Sequence, residues 1–431
     1  MRVSSGMIFD AGVSAINRQT SSLLATQQQV SSGRRILRPS DDPVAAARTL
    51  EIQQGADFVA QFKQNHDYAS ATLGLQEAQL TSAGEILSRV RELAVQAGNT
   101  SLTATARQGI AIEMRASFDR MLAIANSTDG SGNHLFAGFM SGTTPFGGNV
   151  DNIIAGGEIV YQGDDGQRSL QVSPSRFVEV SESGRDLFQR IGSGNGYFAT
   201  DYAAGNTGTG IVSSGTVTDP AAWQAATARD IDIRFTVSAG VTTYDLVNTA
   251  SGNSLLTGAA APAPLVSQRT FQPGQPIVLK SQGLEPAFDL GGSVSVSGNP
   301  ASGDRFSVSP SSSQSVFATI SNLVGALEGV AATPADNAKY INEVAFALND
   351  LARASDNILG ARARIGARMN EIESLAGLND DLGLQYQQAL SKLQDVDYAQ
   401  AISDLTRKQV QLEAAQQSFL KVSQLSLFNY L

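Results

Sequence analysis

Two histidines are the residues best suited to catalysis or metal binding in this sequence. His66 falls inside a segment with helical periodicity, and His134 falls in a Gly-rich turn. A metal site or a catalytic triad needs several donor side chains at fixed spacing, and neither histidine has such neighbours. The sequence has no cysteine, which removes thiolate ligands and cysteine nucleophiles. We therefore predict a solvated or capping role for both histidines, no enzymatic activity, and no cofactor or metal.

Three further segments could bind an anion or a metal, but each has a structural interpretation. The Gly-rich run 192–196 lacks the Lys-Ser/Thr pair of a phosphate-binding loop, so we expect an ordinary loop. The basic run 34–38 follows a predicted helix end, where positive charge offsets the helix dipole. Asp41 and Asp42 precede Pro43, where a helix N-cap belongs. These interpretations leave no candidate catalytic, cofactor-binding or metal-binding residue.

Composition and charge narrow the choice of partners. The chain is 42% hydrophobic and 16% charged, and it has no apolar run near the roughly 18 residues that cross a bilayer. Its formal net charge of −10 argues against binding along nucleic acid, because that mode needs clustered Lys and Arg. The N-terminus also lacks the charged and apolar segments of a secretory signal. We expect neither nucleic acid nor a membrane as a partner.

Helices are predicted before residue 130. An apolar residue recurs every seven positions near the N-terminus, at Phe9, Ile16, Leu23 and Val30. This spacing predicts a helix over about 9–31 with one apolar seam. Gly33 is placed to end that helix, and Asp42 with Pro43 to begin a second one that runs to about residue 97. A third helix follows after a short break.

The middle of the chain differs from both ends in proline content and in the spacing of its apolar residues. Ten of the 13 prolines lie between residues 131 and 310. Short alternating apolar patterns predict strands at 159–161, 169–172, 231–235 and 305–308. The stretch 192–215 is so rich in Gly, Ser and Thr that we expect loop there. The middle is therefore predicted to form one or two β domains.

Seven-residue spacing returns in the C-terminal part. The clearest series is Val344, Leu351, Ile358, Ile365 and Ile372, which we interpret as the seam of a bundle within the chain. A second series is Tyr398, Leu405, Leu412 and Phe419, followed by the apolar tail 425–431. Short helices at chain ends are marginal unless docked. For the extreme N- and C-terminal seams, periodicity alone leaves packing within one chain and packing between subunits equally open.

Particular motifs resemble those of a known family. The segments 31–36 (Ser-Ser-Gly-Arg-Arg-Ile) and 39–46 (Pro-Ser-Asp-Asp-Pro-Val-Ala-Ala) resemble the N-terminal signature of the flagellin superfamily. The Asp-Asp-Pro-Val-Ala form is similar to that of the hook-filament junction proteins, since flagellins usually carry Asp-Asp-Ala-Ala-Gly. Further similarity lies at 1–4, 134–138, 145–146, 161–166, 303–306, 364–368 and 395–399. The resemblance covers residues 1 to about 185 and 303–431.

The resemblance implies a mixed α and β fold in which helices and strands are segregated. An elongated helical-bundle or coiled-coil core would be built from both chain ends, with a central β-rich domain. We expect coiled-coil segments at 1–40 and 391–431 that are disordered in the monomer, helical core halves at 41–130 and 314–390, and central β-rich surface domains at 131–313. The implied assembly interface is Phe9, Ile16, Leu23, Val30, Tyr398, Leu405, Leu412 and Phe419, with Gly33, Asp41, Asp42 and Pro43 as structural signature.

The function implied by the resemblance is structural. The chain would join hook to filament in the extracellular part of a bacterial flagellum, as an adapter ring for flagellin assembly, after secretion through the flagellar export apparatus. The implied partners are further copies of itself in a ring, the hook-side junction protein (hook-associated protein 1), flagellin and a flagellar export chaperone. Two alternatives stay open: a flagellin filament subunit, against which Asp42, Pro43 and the ending 427–431 count, and a secreted coiled-coil adhesin.

Overall fold

The computed structural model describes residues 5–99, 101–329 and 333–424. Its α-helices are α1 (Ser5–Ser32), α2 (Pro43–Ala97), α3 (Ala104–Ala125), α4 (Val150–Ile154), α5 (Gly184–Phe188), α6 (Pro220–Ala225), α7 (Val316–Glu328), α8 (Pro334–Gln394) and α9 (Tyr398–Gln424). Long helices thus come from both ends of the chain, and the strands lie between them. The predicted segregation of α and β structure is confirmed.

The strands all lie between α3 and α7. They are β1 (Phe146–Gly147), β2 (Val160–Tyr161), β3 (Ser169–Ser173), β4 (Arg176–Glu179), β5 (Ile191–Gly192), β6 (Phe198–Tyr202), β7 (Ile211–Val212), β8 (Thr216–Val217), β9 (Ile231–Ser238), β10 (Val241–Asn248), β11 (Arg269–Thr270), β12 (Pro276–Lys280), β13 (Asp289–Ser297), β14 (Arg305–Pro310) and β15 (Ser313–Gln314). A 3-10 turn occupies Leu265–Ser267. The four strands predicted from alternation are all present.

Side-chain caps fix where several helices begin. The Asp42 carboxylate accepts a hydrogen bond from the Ala45 N–H at 3.0 Å, and Pro43 is the first residue of α2. The Thr103 hydroxyl accepts from the Ala106 N–H at 3.2 Å and so caps α3. Such caps satisfy N–H groups that have no partner inside the helix. The predicted start of α2 and its predicted end at residue 97 are both confirmed.

The chain forms two compact units. The first lies within Met1–Asp67, Gln171–Arg176 and Glu373–Leu431, and the second within Tyr68–Leu170 and Phe177–Ile372. α2 and α8 each contribute residues to both units. The five-part division of the chain expected from the sequence, including disorder of both ends in the monomer, stays a prediction.

The second unit has a helical core. The seven-residue series on α8 is buried, with exposures of 3% or less at Val344, Leu351, Ile358, Ile365 and Ile372. α3 packs on α7, where the rings of Phe118 and Phe317 meet edge to face with centroids 5.6 Å apart. The interpretation of the α8 series as a seam within the chain is therefore confirmed.

The two larger antiparallel sheets also lie in this unit, besides two-stranded pairs. Their strand orders are β11-β10-β9-β14-β6 and β12-β13-β7, and β8 pairs with β13. The longest hairpin, β9–β10, closes through Ala239 and Gly240, both with positive φ, as a two-residue hairpin turn requires. The core of these sheets includes Trp223, which is only 3% exposed.

The expectation of loop throughout 192–215 is wrong. This stretch contains β6 and β7, and Phe198 of β6 is fully buried opposite Pro310 of β14. Gly- and Ser-rich composition lowers strand propensity, but pairing with β14 and β13 decides the structure here.

Candidate assembly interface

α1 and α9 pack against each other in the first unit. The rings of Phe9 and Phe419 lie 5.2 Å apart between centroids. Gln19 Nε2 donates a hydrogen bond to Gln411 Oε1 at 2.8 Å. Numbers rise along α1 as they fall along α9, so the two helices run antiparallel. The two ends of the chain thus form one helix pair.

The pair includes a buried polar contact near its other end. Lys408 Nζ donates to Thr26 Oγ1 at 2.7 Å, and Thr26 is only 3% exposed. A lysine that buries its stem and satisfies a buried hydroxyl fixes the position of one helix along the other. Side chains of opposite chain ends therefore define a specific contact.

The predicted interface residues lie along this pair, but the pair covers them incompletely. Phe9 and Tyr398 are each 53% exposed. The remaining six are half-buried: Ile16, Leu23, Val30, Leu405, Leu412 and Phe419. Their role in contacts between subunits stays a prediction. The N-terminal motif at 1–4 and the apolar tail 425–431 lie outside the described residues.

Other apolar side chains of the first unit are also open to solvent. At least half of the surface is exposed at Met7, Leu24, Val44, Leu50, Phe58, Leu378, Leu384, Ile402 and Val410. Single exposed apolar residues are ordinary, whereas many on one unit indicate a surface that another protein covers. Whether neighbouring subunits cover these side chains stays a prediction.

The signature segment 31–36 pairs directly with the segment 393–396, which joins α8 to α9. The Val396 N–H donates to the Gly33 carbonyl at 2.9 Å, and the Arg35 N–H donates to the Gln394 carbonyl at 2.6 Å. The Arg35 side chain also donates to the Leu393 carbonyl at 3.0 Å, at the C-terminal end of α8. Positive charge thus meets a helix C-terminus, as predicted, although the helix is α8 rather than α1. Periodicity gave no signal for this pairing.

The turn between α1 and α2 is held by the signature carboxylates. Gly33 follows α1 with a φ of 70°, which favours glycine. Asp41 Oδ2 accepts hydrogen bonds from the N–H groups of Leu37 at 3.2 Å and Arg38 at 2.9 Å. Together with the cap at Asp42, these contacts give the signature residues a structural role.

α2 and α8 also pair within the first unit. Lys63 Nζ lies 2.8 Å from Asp380 Oδ1, and this hydrogen bond raises the pKa of Lys63. Both side chains are more than half exposed, so the ion pair contributes little to stability. The ion pair still helps to fix which residues of α2 and α8 face each other.

The histidines take part in packing. His66 is only 2% exposed, and its Nε2 lies 2.7 Å from the Val172 carbonyl. The prediction of a solvated or capping His66 is wrong, because the segment Gln171–Arg176 folds over it. His134 is half-buried, with Nδ1 2.8 Å from the Asn126 carbonyl.

Other sites considered from the sequence are also structural. The Gly194 N–H donates to Asp350 Oδ1 at 3.0 Å, so a carboxylate of the chain itself occupies this part of the Gly-rich run. Within the described residues, no three His, Asp or Glu side chains are arranged to hold a metal ion. No helix in the described part of the chain has the length and hydropathy of a membrane span.

Comparison with known proteins decides the family. A family model described as the bacterial flagellin N-terminal helical region matches residues 3–141. The crystal structure of flagellar hook associated protein-3 from Legionella pneumophila superposes with a TM-score of 0.71. It shares 31% sequence identity, and the match covers 79% of this chain and 98% of that chain. The chain belongs to the flagellar hook-associated protein 3 family.

Two further members support this membership. The crystal structure of FlgL from Xanthomonas campestris has a TM-score of 0.67 and 31% identity, and the match covers 79% of this chain and 99% of that one. Flagellar hook-associated protein 3 of Escherichia coli K12 is 23% identical over 99% of both chains. The resemblance recognised from the signature segments of the hook-associated protein 3 family is thus confirmed. This chain is a structural component of the bacterial flagellum.

Proposed function

We propose that this protein joins the hook to the filament as an adapter ring on which flagellin assembles. The observation that carries the proposal is the antiparallel α1–α9 pair, whose apolar seam the pair itself covers only in part. Neighbouring subunits would cover the rest. The names of the related proteins, hook-associated protein 3 and flagellar junction protein, support the same function.

Assembly would drive ordering of the chain ends. We propose that residues 1–40 and 391–431 are disordered in the free monomer and become helical when subunits pack. Burial of apolar side chains contributes about 25 cal/mol per Å², which offsets the conformational entropy lost on ordering. Phe9 and Tyr398, half exposed in the single chain, are suited to this burial.

The partners and location follow from this role. The partners would be neighbouring copies in a ring, the hook-side junction protein hook-associated protein 1, flagellin, and an export chaperone before secretion. The protein would act outside the cell after passing unfolded through the flagellar export apparatus. A chain without cysteine suits that route, because no disulfide has to form or break. The protein would have no catalytic activity.

Electron microscopy of isolated hooks tests the proposal. Hooks that carry hook-associated protein 1 are incubated with the purified chain and then with flagellin, and fragmented flagellin filaments serve as a second set of seeds. We expect the chain to decorate hook ends and allow filament growth, without extending the flagellin seeds by itself. Long growth of the chain alone from those seeds would instead identify a flagellin.

Matched charge substitutions test whether the terminal seam is the interface. Leu405→Asp places a charge on the half-buried seam of α9, whereas Val266→Asp changes a residue that is 96% exposed in the second unit. We expect Leu405→Asp to abolish decoration of hook ends and Val266→Asp to preserve it. Equal decoration by both variants would count against the seam.

A further inference from the structure

Two helical glycines of the first unit each face an aromatic ring of the opposite helix. A Cβ built on Gly12 of α1 would lie 2.6 Å from Cδ2 and 2.8 Å from Cε2 of Phe419. A Cβ built on Gly55 of α2 would lie 2.9 Å from Cζ and 3.2 Å from Oη of Tyr386. Real Cβ atoms essentially never lie within 3.0 Å of another side chain, and each ring has at least one atom inside that distance, so an added methyl group would force the ring or the helix to shift.

Three helical glycines of α2 and α3 lack such a neighbour. A Cβ on Gly74 or Gly84 of α2, or on Gly109 of α3, would meet nothing within 4 Å apart from its own helix and chain neighbours. Glycine inside a helix lowers helix stability relative to alanine. The ring contact at Gly12 and Gly55 therefore supplies a reason for glycine that Gly74 and Gly84 do not share.

Two neighbouring contacts place the Tyr386 ring in an antiparallel register. After the Gly55–Tyr386 contact, α2 continues with the approach of Val59 Cγ1 to within 3.5 Å of a Cβ on Gly383 and then with the Lys63–Asp380 ion pair. Residue numbers thus rise on α2 as they fall on α8.

A slip of one helical turn would remove the space that each ring occupies. The positions one turn from Gly55 carry Glu51 and Val59, and the position one turn after Gly12 carries Ile16. Each of these residues has a bulky side chain where glycine has none. An aromatic ring in a shifted register would therefore meet a side chain instead of a gap.

We propose that Gly12 and Gly55 are register-determining residues, which admit Phe419 and Tyr386 and so fix how the two ends of the chain pair. Gly33 shows a third close approach, 3.0 Å from its Cβ position to the Tyr398 hydroxyl, but its positive φ already requires glycine. The pairing of the chain ends would then be selected by shape as well as by apolar burial.

Alanine substitutions within α2 test the role of Gly55. We expect Gly74→Ala and Gly84→Ala to raise the midpoint of thermal unfolding, and Gly55→Ala to lower it relative to both. In the Tyr386→Leu background, which removes the ring, adding Gly55→Ala should lower the unfolding midpoint much less than it does in the parent. A rise in midpoint for Gly55→Ala equal to that of the two controls would overturn the proposal for this position.

Disulfide trapping tests the role of Gly12 in the full-length chain bound to isolated hooks, because the proposed function leaves the chain ends disordered in the free monomer. The sequence has no cysteine, so one cysteine pair can be introduced at a time. Gln19→Cys with Gln411→Cys reports the observed register, and Gln19→Cys with Ala415→Cys reports a one-turn slip. We expect the first pair to form several-fold more disulfide, and Gly12→Ala to reduce that ratio. Adding Phe419→Leu should restore it. An unchanged ratio in Gly12→Ala, or equal yields in the parent, would overturn the proposal.

Discussion

The main-chain N–H of Val396 donates a hydrogen bond to the carbonyl of Gly33 over 2.9 Å, which joins segments from opposite ends of the chain. Gly33 follows α1 with positive φ, and Val396 lies between α8 and α9. The breaks between successive helices therefore lie side by side. Because the breaks meet, α1 can pair with α9 while α2 pairs with α8.

The cap at the start of α2 should stabilise the protein measurably. Asp42→Ala removes the acceptor of the Ala45 N–H, and loss of an N-cap typically costs about 1 kcal/mol. We expect this loss in urea unfolding followed by far-UV circular dichroism. Asp42→Asn keeps an acceptor oxygen and should retain most of the stability. Equal losses in both variants would show that the negative charge, rather than the hydrogen bond, matters.

A buried carboxylate explains the basic residues of the motif 364–368. Glu182 is only 2% exposed and lies 2.5 Å from Arg368 and 3.2 Å from Arg364. Arg368→Met would leave this buried charge with one partly exposed partner, and breaking a buried pair costs roughly 3–5 kcal/mol. Urea unfolding should show a loss of unfolding free energy near the lower end of that range, because Arg364 still pairs with Glu182.

The matching double variant separates the ion pair from simple packing. Arg368→Met combined with Glu182→Gln removes the unpaired charge, so it should be more stable than Arg368→Met alone. If the double variant is no more stable than the single one, the loss arises from packing of the arginine stem.

The buried seam of α8 should contribute to the free energy of unfolding through close packing of its side chains. Leu351 is fully buried, and a change from Leu to Ala in a core costs about 2–5 kcal/mol. We expect Leu351→Ala to lower the free energy of unfolding by that amount in urea titrations. Leu359→Ala is the control, since Leu359 is 57% exposed on the same helix. A similar effect of both substitutions would contradict the burial of the seam.

The stability of the second unit should depend on pH through Glu343. Burial raises the pKa of Glu343, a hydrogen bond from Tyr202 lowers it in part, and the Asp201 charge raises it again. A carboxyl whose folded-state pKa is raised contributes stability below its unfolded pKa and loses that contribution as pH rises through the folded value. The contribution of Glu343 to stability should therefore be lost as pH rises from the ordinary glutamate pKa through the raised pKa of the folded state.

Glu343→Gln isolates this contribution. The amide keeps an acceptor for the Tyr202 hydroxyl, which lies 2.8 Å from Glu343 Oε1, and carries no charge to desolvate. We expect the variant to be more stable than the parent at pH 8 and equal to it at pH 4 in urea unfolding. A Glu343→Gln variant with the pH dependence of the parent would contradict the assignment.

Much of the helical architecture could be read from local sequence. The bounds of α2 follow from the Asp42 cap, Pro43 and the break after residue 97, which act within a few residues. The buried series from Val344 to Ile372 follows from its seven-residue spacing. Family membership likewise rested on short motifs, and the comparisons confirm it.

Contacts between distant residues required the tertiary structure. The burial of His66, the strands within 192–215, the pairing of Gly33 with Val396 and the rings facing Gly12 and Gly55 join residues far apart in sequence. Periodicity shows which face of a helix is apolar, but it does not show which helix covers that face or in what register. The sequence by itself determined the elements and their apolar faces, because caps and periodicity are local. Only the tertiary structure decided the partner of each face, because that choice depends on side-chain shapes brought together by folding.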